Sequence, residues 1–324
     1  MTSSRRQLLA LLSFVFVLSL TALSQHLMQT PFKTRGESTI VVPVLINGAG
    51  PFDFMLDTGT TNTIIDRKLA EELHLPLVGK GTVATFQNEA VIPVVHAGSI
   101  SLAGANVHGM DIFAITNFAI RTPHVRVRGT LGEDFMRHFD VLIDNTHRLL
   151  SFELGPGPLG QTLAGERLTL SLESPSSTDP TENRLIVTGR CFQPGDRDVK
   201  LQLDSGVSNL VLFSMPSIWP DFQSATVSVE GPLGIDIPAN LRTAHLRLGK
   251  KLFTQTAIVP ESNISPRGAE VDGLLPTSLF RSIFISHSGR FVILDPSPKP
   301  ALAQSRPPSR TDTEIADAAA LPTE

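Results

Sequence analysis

The chain has a single cysteine, Cys191, among its 324 residues, and this scarcity excludes several kinds of protein. One cysteine cannot form an internal disulfide, and no grouping of cysteine with histidine has the spacing of a zinc site. Basic charge is also scarce, because 27 Lys and Arg stand against 31 Asp and Glu for a net charge of −4. Without a basic field for phosphates, nucleic acid is not an expected partner. We expect no metal and no cofactor.

Several catalytic motifs are also missing. The nine histidines are scattered, and none forms the His-Glu-x-x-His pattern of a zinc peptidase. No Gly-x-Ser-x-Gly elbow and no phosphate loop is present, and the nearest approach, which begins at Gly206, lacks the final glycine. Asp140 and Asp144, close to a predicted strand, are interpreted as surface charges rather than catalysts.

One apolar run stands at the N-terminus. It covers the 16 residues 8–23, follows Arg5 and Arg6, and ends near small residues typical of a cleavage site. This pattern predicts a signal peptide over residues 1–24 and export to the periplasm or the cell exterior. The run is shorter than the ~20 residues that span a bilayer, so an uncleaved membrane anchor over residues 8–23 is the less favoured alternative. The arginine pair leaves the secretory and twin-arginine routes both open.

A short motif occurs twice, as Asp57-Thr58-Gly59 and as Asp204-Ser205-Gly206. Each copy follows one apolar segment and precedes another. At ordinary residue usage a chain of this length contains about 0.2 such tripeptides by chance, and two arise in roughly one chain in fifty. The repetition therefore indicates two carboxylates that are brought face to face.

The elements around the motifs also repeat in one order, which indicates duplication of one lobe. Short β-branched runs, together with 24 glycines and 24 prolines, favour a mostly β protein. The repeated predictions are an opening strand (40–46 and 184–188), a strand leading into the Asp (52–56 and 199–203), a third strand (63–65 and 210–213) and a final strand pair that turns at a basic residue (141–152 and 283–294). Only the first half shows a clear helix, at residues 67–74.

The division of the chain follows from this repeat and from two loose stretches, at residues 155–158 and 174–180. After the signal or anchor we expect a linker over 25–38, an N-terminal lobe over 39–165 and a C-terminal lobe over 166–296. The last residues, 297–324, are rich in Pro, Ser, Ala and charge without periodicity, and are predicted to be a disordered tail.

With these motifs, each half resembles a retropepsin-type aspartic protease subunit, and residues 39–296 resemble a pepsin-like bilobal aspartic protease in one chain. The family's second element, an apolar-apolar-Gly sequence, is matched by Thr130-Leu131-Gly132. The resemblance implies a mostly β, bilobal acid-protease fold of two pseudo-twofold related, β-barrel-like lobes. Because both acids lie in one chain, a monomer is sufficient for the active site.

The resemblance places the catalytic pair at Asp57 and Asp204, which would activate a water between them to hydrolyse a peptide bond. Two carboxyl groups about 3 Å apart cannot both be ionised, so the two groups share one proton. The residues expected to support the two active-site loops are Thr58, Gly59, Thr60, Ser205 and Gly206. Glycine lets backbone N–H groups approach the acids, and the Thr58 and Ser205 hydroxyls would bond across to the opposite loop.

The two copies differ beside the acids. Thr60 can donate a hydrogen bond to Asp57, whereas the Val207 side chain can donate nothing to Asp204, so we expect Asp204 to be the more readily protonated acid. Pro276 stands where the second lobe should repeat the glycine of its second element, and proline fixes φ and lacks an N–H. The C-terminal lobe must therefore form its second element with a different backbone arrangement.

The chain contains no tyrosine, so the flap tyrosine of pepsin-like proteins is missing. Our candidate flap is the hairpin around Phe86 and Gln87, which would bind substrate, with a counterpart near Gly231; an ordinary surface hairpin fits each as well. The leading prediction is an aspartic endopeptidase that acts on peptides or proteins. The alternative is a non-catalytic peptide-binding or structural module that retains this scaffold.

Overall fold

The computed structural model describes residues 27–36, 38–84, 89–116, 126–173, 184–193, 196–213, 226–230, 236–260 and 271–298. In these ranges, 24 strands accompany three short α-helices and one 3₁₀ helix. The mostly β class is thereby confirmed. The signal or anchor, the candidate flap residues Phe86 and Gln87 and the tail beyond residue 298 lie outside the described residues.

The first half alternates strands with two short helices. Its elements are β1 (Met28–Pro31), β2 (Lys33–Arg35), β3 (Thr39–Ile46), β4 (Ala49–Leu56), β5 (Ile64–Asp66), α1 (Arg67–Glu72), β6 (Leu77–Ala84), β7 (Glu89–Leu102), β8 (Ala105–Ile115), β9 (Gly129–Leu131), α2 (Glu133–Met136), β10 (Asp140–Asp144) and β11 (Leu149–Glu153). A third helix, α3 (Leu159–Thr162), and the short strand β12 (Leu163–Ala164) then lead into the second half.

The second half follows the same plan with fewer helices. Its elements are β13 (Arg167–Thr169), β14 (Ser171–Glu173), β15 (Arg184–Gln193), β16 (Arg197–Asp204), β17 (Leu210–Leu212), β18 (Thr226–Glu230), β19 (Asp236–Leu248), β20 (Lys251–Pro260), β21 (Gly273–Pro276), the 3₁₀ helix η1 (Thr277–Leu279), β22 (Ser282–Ser286), β23 (Phe291–Leu294) and β24 (Ser297–Pro298).

Two eight-stranded sheets show that the halves have the same topology. Their strand orders are β2-β3-β4-β9-β5-β8-β7-β6 and β14-β15-β16-β21-β17-β20-β19-β18. At each place in the sheet, the strand number in the second half is twelve higher than in the first half. A six-stranded sheet, β1-β11-β10-β22-β23-β13, joins the halves through β10 and β22 and keeps the same correspondence. This duplicated arrangement agrees with the two related halves that the sequence predicts.

Tight turns that favour particular residues connect the strands. Asn47 and Gly48 both have positive φ, 50° and 78°, as a two-residue turn between β3 and β4 requires. The two final strand pairs turn at Arg148 and Arg290, whose φ values are 53° and 54°. Both turns therefore lie at a basic residue, as the sequence predicts for the two strand pairs.

The predicted linker over 25–38 is wrong in part, because this segment contains β1 and β2. β1 pairs with β11, and β2 pairs with β3. The repeat therefore begins upstream of residue 39. At the other end, Ser297 and Pro298, assigned by sequence to the tail, pair with β12.

The predicted helix over residues 67–74 is shorter in the structure and ends at Glu72. Asp66 caps its N-terminus by accepting a hydrogen bond from the Lys68 N–H at 3.1 Å. The helix cannot continue through His74, whose φ is 51°. The predicted strand over 184–188 is longer than expected, because β15 also pairs with β19 as far as Gln193.

The apolar core runs beneath the sheets and continues from one half into the other. Under the joining sheet, Phe135, Phe139 and Phe152 pack with ring centroids 5.5 to 6.2 Å apart. Across the described ranges, no helix is long and apolar enough to cross a membrane.

Candidate active site

The two Asp-Thr/Ser-Gly motifs lie at equivalent ends of β4 and β16. Each of these strands is paired in parallel with the short strand of the second shared element, β9 or β21. The Asp57 N–H donates to the Leu131 carbonyl at 3.0 Å, which fixes the point at which the first loop leaves its strand. Because corresponding strands carry the two loops, the duplication brings both acids to the boundary between the halves.

The hydroxyl groups of Thr58 and Ser205 join the two loops, as the sequence predicts. Thr58 Oγ1 donates to the Leu203 carbonyl at 3.1 Å and accepts from the Ser205 N–H at 3.0 Å. Ser205 Oγ donates to the Leu56 carbonyl at 2.8 Å and accepts from the Thr58 N–H at 3.0 Å. All four hydrogen bonds are buried, so they hold the two loops in one fixed arrangement.

The glycines allow the acids to approach each other. A Cβ atom on Gly59 would overlap the Asp204 carboxylate, and one on Gly206 would lie 2.8 Å from Asp57 Cγ. Each glycine N–H also donates to the acid of its own loop, Gly59 to Asp57 Oδ1 at 2.8 Å and Gly206 to Asp204 Oδ1 at 2.7 Å. The side chains of Asp57 and Asp204 are buried, and each carboxyl group packs against the glycine of the opposite loop.

The surroundings of the two acids are unequal. Thr60 Oγ1 donates to Asp57 Oδ2 at 2.7 Å, while the Val207 side chain offers Asp204 no donor. Burial, and then the charge of Asp57, raise the pKa of Asp204 well above its usual range, although the N–H groups of Gly206 and Val207 oppose this. Asp204 is therefore suited to carry the proton of the pair.

Asp134 supports the loop of Asp57 through hydrogen bonds to Thr63, a role that no sequence pattern indicates. Its carboxylate accepts hydrogen bonds from the Thr63 N–H at 2.8 Å and from Thr63 Oγ1 at 2.6 Å. Thr63 Oγ1 in turn accepts from the Gly132 N–H at 3.1 Å. Burial raises the pKa of Asp134 to about 6, against the lowering effect of the Thr63 hydrogen bonds.

The second half lacks the Gly132 hydrogen bond at the equivalent position. Pro276 stands opposite Asp204 in the β16–β21 pair, at the position that Gly132 holds in the first half, and it has no N–H to donate. Its φ of −66° suits proline, and η1 follows where the first half has α2. Asn145 of the first half donates to the Thr277 carbonyl at 3.0 Å and thereby supports this segment.

The hairpins of the two candidate flaps are present up to their tips. β6 and β7 pair as far as Ala84 with Glu89, and β18 and β19 pair from Glu230 with Asp236. Phe86, Gln87 and Gly231 fall between these pairs and outside the described residues, so their substrate-binding role stays a prediction.

Asp140 is not a surface charge, and this interpretation of the sequence is wrong. Its side chain is buried and accepts hydrogen bonds from Ser286 Oγ at 3.0 Å and from the Ser288 N–H at 3.0 Å. Asp144 stays partly exposed beside His147. Both serines belong to the other half, so no local sequence signal marks Asp140 as buried.

Among the described residues, no group of three or more His, Cys, Asp or Glu could hold a metal ion.

Comparison with known proteins supports the resemblance over the first half. A family profile described as aspartyl protease matches residues 42–135, a segment that contains Asp57 and the second shared element but not Asp204. Among solved structures, a retropepsin-like aspartic protease from Rickettsia conorii is similar at 16% identity and a TM-score of 0.32, over 40% of this chain and 92% of that chain. The comparison with curated proteins gives no match.

Proposed function

We propose that the protein is an aspartic endopeptidase and that Asp57 and Asp204 are its catalytic pair. The observation that carries the proposal is the buried pair of carboxyl groups, each held by the glycine N–H of its own loop and packed against the glycine of the opposite loop. Two carboxyl groups in contact share one proton and can act together as base and acid. The aspartyl protease profile over residues 42–135 agrees with this chemistry.

In the proposed reaction, Asp57 is the ionised member and accepts a proton from a water bound between the two acids. The resulting hydroxide attacks the carbonyl carbon of the scissile peptide bond. Asp204, which is protonated, donates a hydrogen bond to the carbonyl oxygen as negative charge develops there. When the C–N bond breaks, the leaving nitrogen receives a proton from the pair, which returns to its singly protonated state.

Substrate, location and assembly belong to the same proposal. The substrate is a peptide or protein segment in extended form, and the candidate flap with Phe86 and Gln87 covers it. The protein acts outside the cytosol, in the periplasm or beyond, and is attached to a membrane only if the N-terminal segment stays uncleaved. Neither nucleic acid nor a second copy of the chain is required, because one chain supplies both acids.

One observation favours the alternative, a non-catalytic peptide-binding module. The second half keeps its Asp-Ser-Gly turn but has Val207 and Pro276 at positions where the first half has a hydrogen-bond donor. A scaffold that binds peptides without cleaving them could tolerate this loss.

Proteolysis separates the two functions. We expect residues 25–324 to cleave an unfolded protein at acid pH, with inhibition by a statine-type inhibitor. D57N and D204N should each abolish cleavage while the near-UV circular dichroism spectrum stays unchanged. Binding of unfolded peptide without cleavage by the wild-type protein would support the non-catalytic module instead.

A further inference from the structure

Gln202 is a buried amide close to the paired acids. It lies on β16, two residues before Asp204, with 4% of its surface exposed. Met55 on β4 holds the equivalent place in the first half, two residues before Asp57. The two halves therefore share the backbone at this position but differ in the chemistry of the side chain.

The amide of Gln202 reaches across to the opposite loop. Its Nε2 donates a hydrogen bond to the Gly59 carbonyl at 2.8 Å. Gly59 and Thr60, on either side of that carbonyl, supply the two donors to the Asp57 carboxylate, at 2.8 and 2.7 Å. Gln202 thus holds the peptide unit that joins the two residues donating to Asp57.

This connection runs in one direction only. Met55 carries a thioether, which cannot donate a hydrogen bond, so it cannot hold the Gly206 carbonyl in the same way. The Thr58 and Ser205 hydroxyl bonds, by contrast, occur in both directions and are symmetric. Gln202 therefore distinguishes the environment of Asp57 from that of Asp204.

On the basis of the proposed peptidase function, we infer that Gln202 is a positioning residue that sets the roles of the two acids. By holding the Gly59 carbonyl, it keeps the Gly59 N–H and the Thr60 hydroxyl directed at Asp57. These donors favour the charged form of Asp57, so Asp57 acts as the base and Asp204 carries the proton. The strand that ends in one acid thereby controls the donors of the other.

Two substitutions at this position test the inference through their pH dependence. Q202M introduces the residue of the other half, which matches glutamine in length but lacks a donor. We expect kcat to fall about tenfold with KM changed by less than about twofold, and the acidic limb of the profile to move upward by about half a pH unit. Q202E should keep near wild-type kcat at low pH, where the protonated acid can donate to Gly59, and lose it as the introduced carboxyl group ionises.

A second measurement makes the result independent of turnover. In protein labelled with ¹³C at the Asp carboxyls, the first titration step of the pair should move upward in Q202M and stay unchanged in M55L, the control at the equivalent position. If wild type cleaves peptides but Q202M and Q202E keep both its rate profile and its titration, the inference is overturned. If wild type cleaves nothing, the peptidase proposal fails, and the titration alone decides whether Gln202 sets the state of the pair.

Discussion

At the scale of single residues, the two copies of the motif share a backbone but differ in their donors. The Thr60 hydroxyl donates to Asp57, and the Gln202 amide donates to the Gly59 carbonyl, while the side chains of Val207 and Met55 carry no donor at the equivalent positions. Because a donor stabilises the ionised form of a carboxyl group, every one of these differences acts in the same direction. Two acids that the motif alone would make equivalent therefore lie in unequal surroundings.

The first prediction concerns Thr60 and Val207. T60A removes the hydroxyl donor from Asp57, so the ionised base is less stable and the acidic limb of kcat/KM should move upward by about half a pH unit to one unit. V207T supplies Asp204 with a donor, so the proton of the pair is lost more easily and the basic limb should move downward. Rate profiles between about pH 2.5 and 7, a range that brackets the carboxyl pKa values, give both limbs. If neither substitution moves its limb, the assignment of roles is wrong.

The second prediction concerns Asp134, whose pKa rises from 3.8 to about 6 on folding. A raised pKa means that the protonated form favours the folded state. The stabilisation is complete below about pH 4 and is lost as the pH rises through 6, with an upper bound of roughly 3 kcal/mol. D134N keeps an acceptor for the Thr63 N–H but cannot ionise. The free energy of unfolding in urea should therefore differ less between pH 4 and pH 7 for D134N than for wild type. An equal difference for the two proteins would contradict this role for Asp134.

At the scale of secondary-structure elements, the site depends on how firmly two strand-to-loop junctions are joined. Thr58 and Ser205 make four buried hydrogen bonds between the loops, and each hydroxyl both donates and accepts. A substitution in either loop should therefore displace both Asp57 and Asp204.

The third prediction tests this junction with T58V. Valine has the shape of threonine but leaves the Leu203 carbonyl and the Ser205 N–H without their partner, at a cost of roughly 1–3 kcal/mol for each buried group. We expect a lower free energy of unfolding in urea and a loss of peptidase activity. T146V is the matched control, because the Thr146 hydroxyl is exposed and should change stability by less than about 0.5 kcal/mol. Equal losses for the two variants would argue against the junction.

The sequence predicts those elements whose signals are local. β3, β4 and β16 carry apolar runs that end in turn residues, and the Asp-Thr/Ser-Gly motifs mark their own loops. No local signal marks β1 and β2, because short strands gain their stability from pairing, and β1 pairs with residues more than a hundred positions away. None marks the roles of Gln202 and Asp134 either, since their partners Gly59 and Thr63 are distant in the chain.

At the scale of the whole molecule, the six-stranded sheet joins the halves, and a buried ion pair lies beside it. His287 Nε2 contacts Glu133 Oε2 at 2.9 Å, and His287 Nδ1 lies 2.6 Å from the Phe139 carbonyl. Burial by itself lowers the pKa of His287, but the Glu133 carboxylate, with the Phe139 carbonyl and the Asp140 charge, reverses this and raises it. The bridge is therefore strongest when the histidine is protonated.

The fourth prediction follows from this sign. Because the pKa of His287 is raised on folding, its stabilisation is present below about pH 6.5 and is lost as the pH rises through the higher, folded value. H287Q should lower the free energy of unfolding by roughly 3–5 kcal/mol at pH 5 and by clearly less at pH 9. Chemical unfolding at the two pH values measures both losses. The same loss at both pH values would show that the charge of His287 does not hold the halves together.

The most direct test of the catalytic pair is a crystal structure of the protein with a statine-type inhibitor, whose central hydroxyl takes the place of the attacking water. We predict that this hydroxyl lies within about 3.2 Å of a carboxyl oxygen of Asp57 and of one of Asp204. The inhibitor would run in extended form beneath the β6–β7 hairpin. An inhibitor that binds elsewhere, or whose hydroxyl contacts neither acid, would contradict the claim that the two motifs form one catalytic centre.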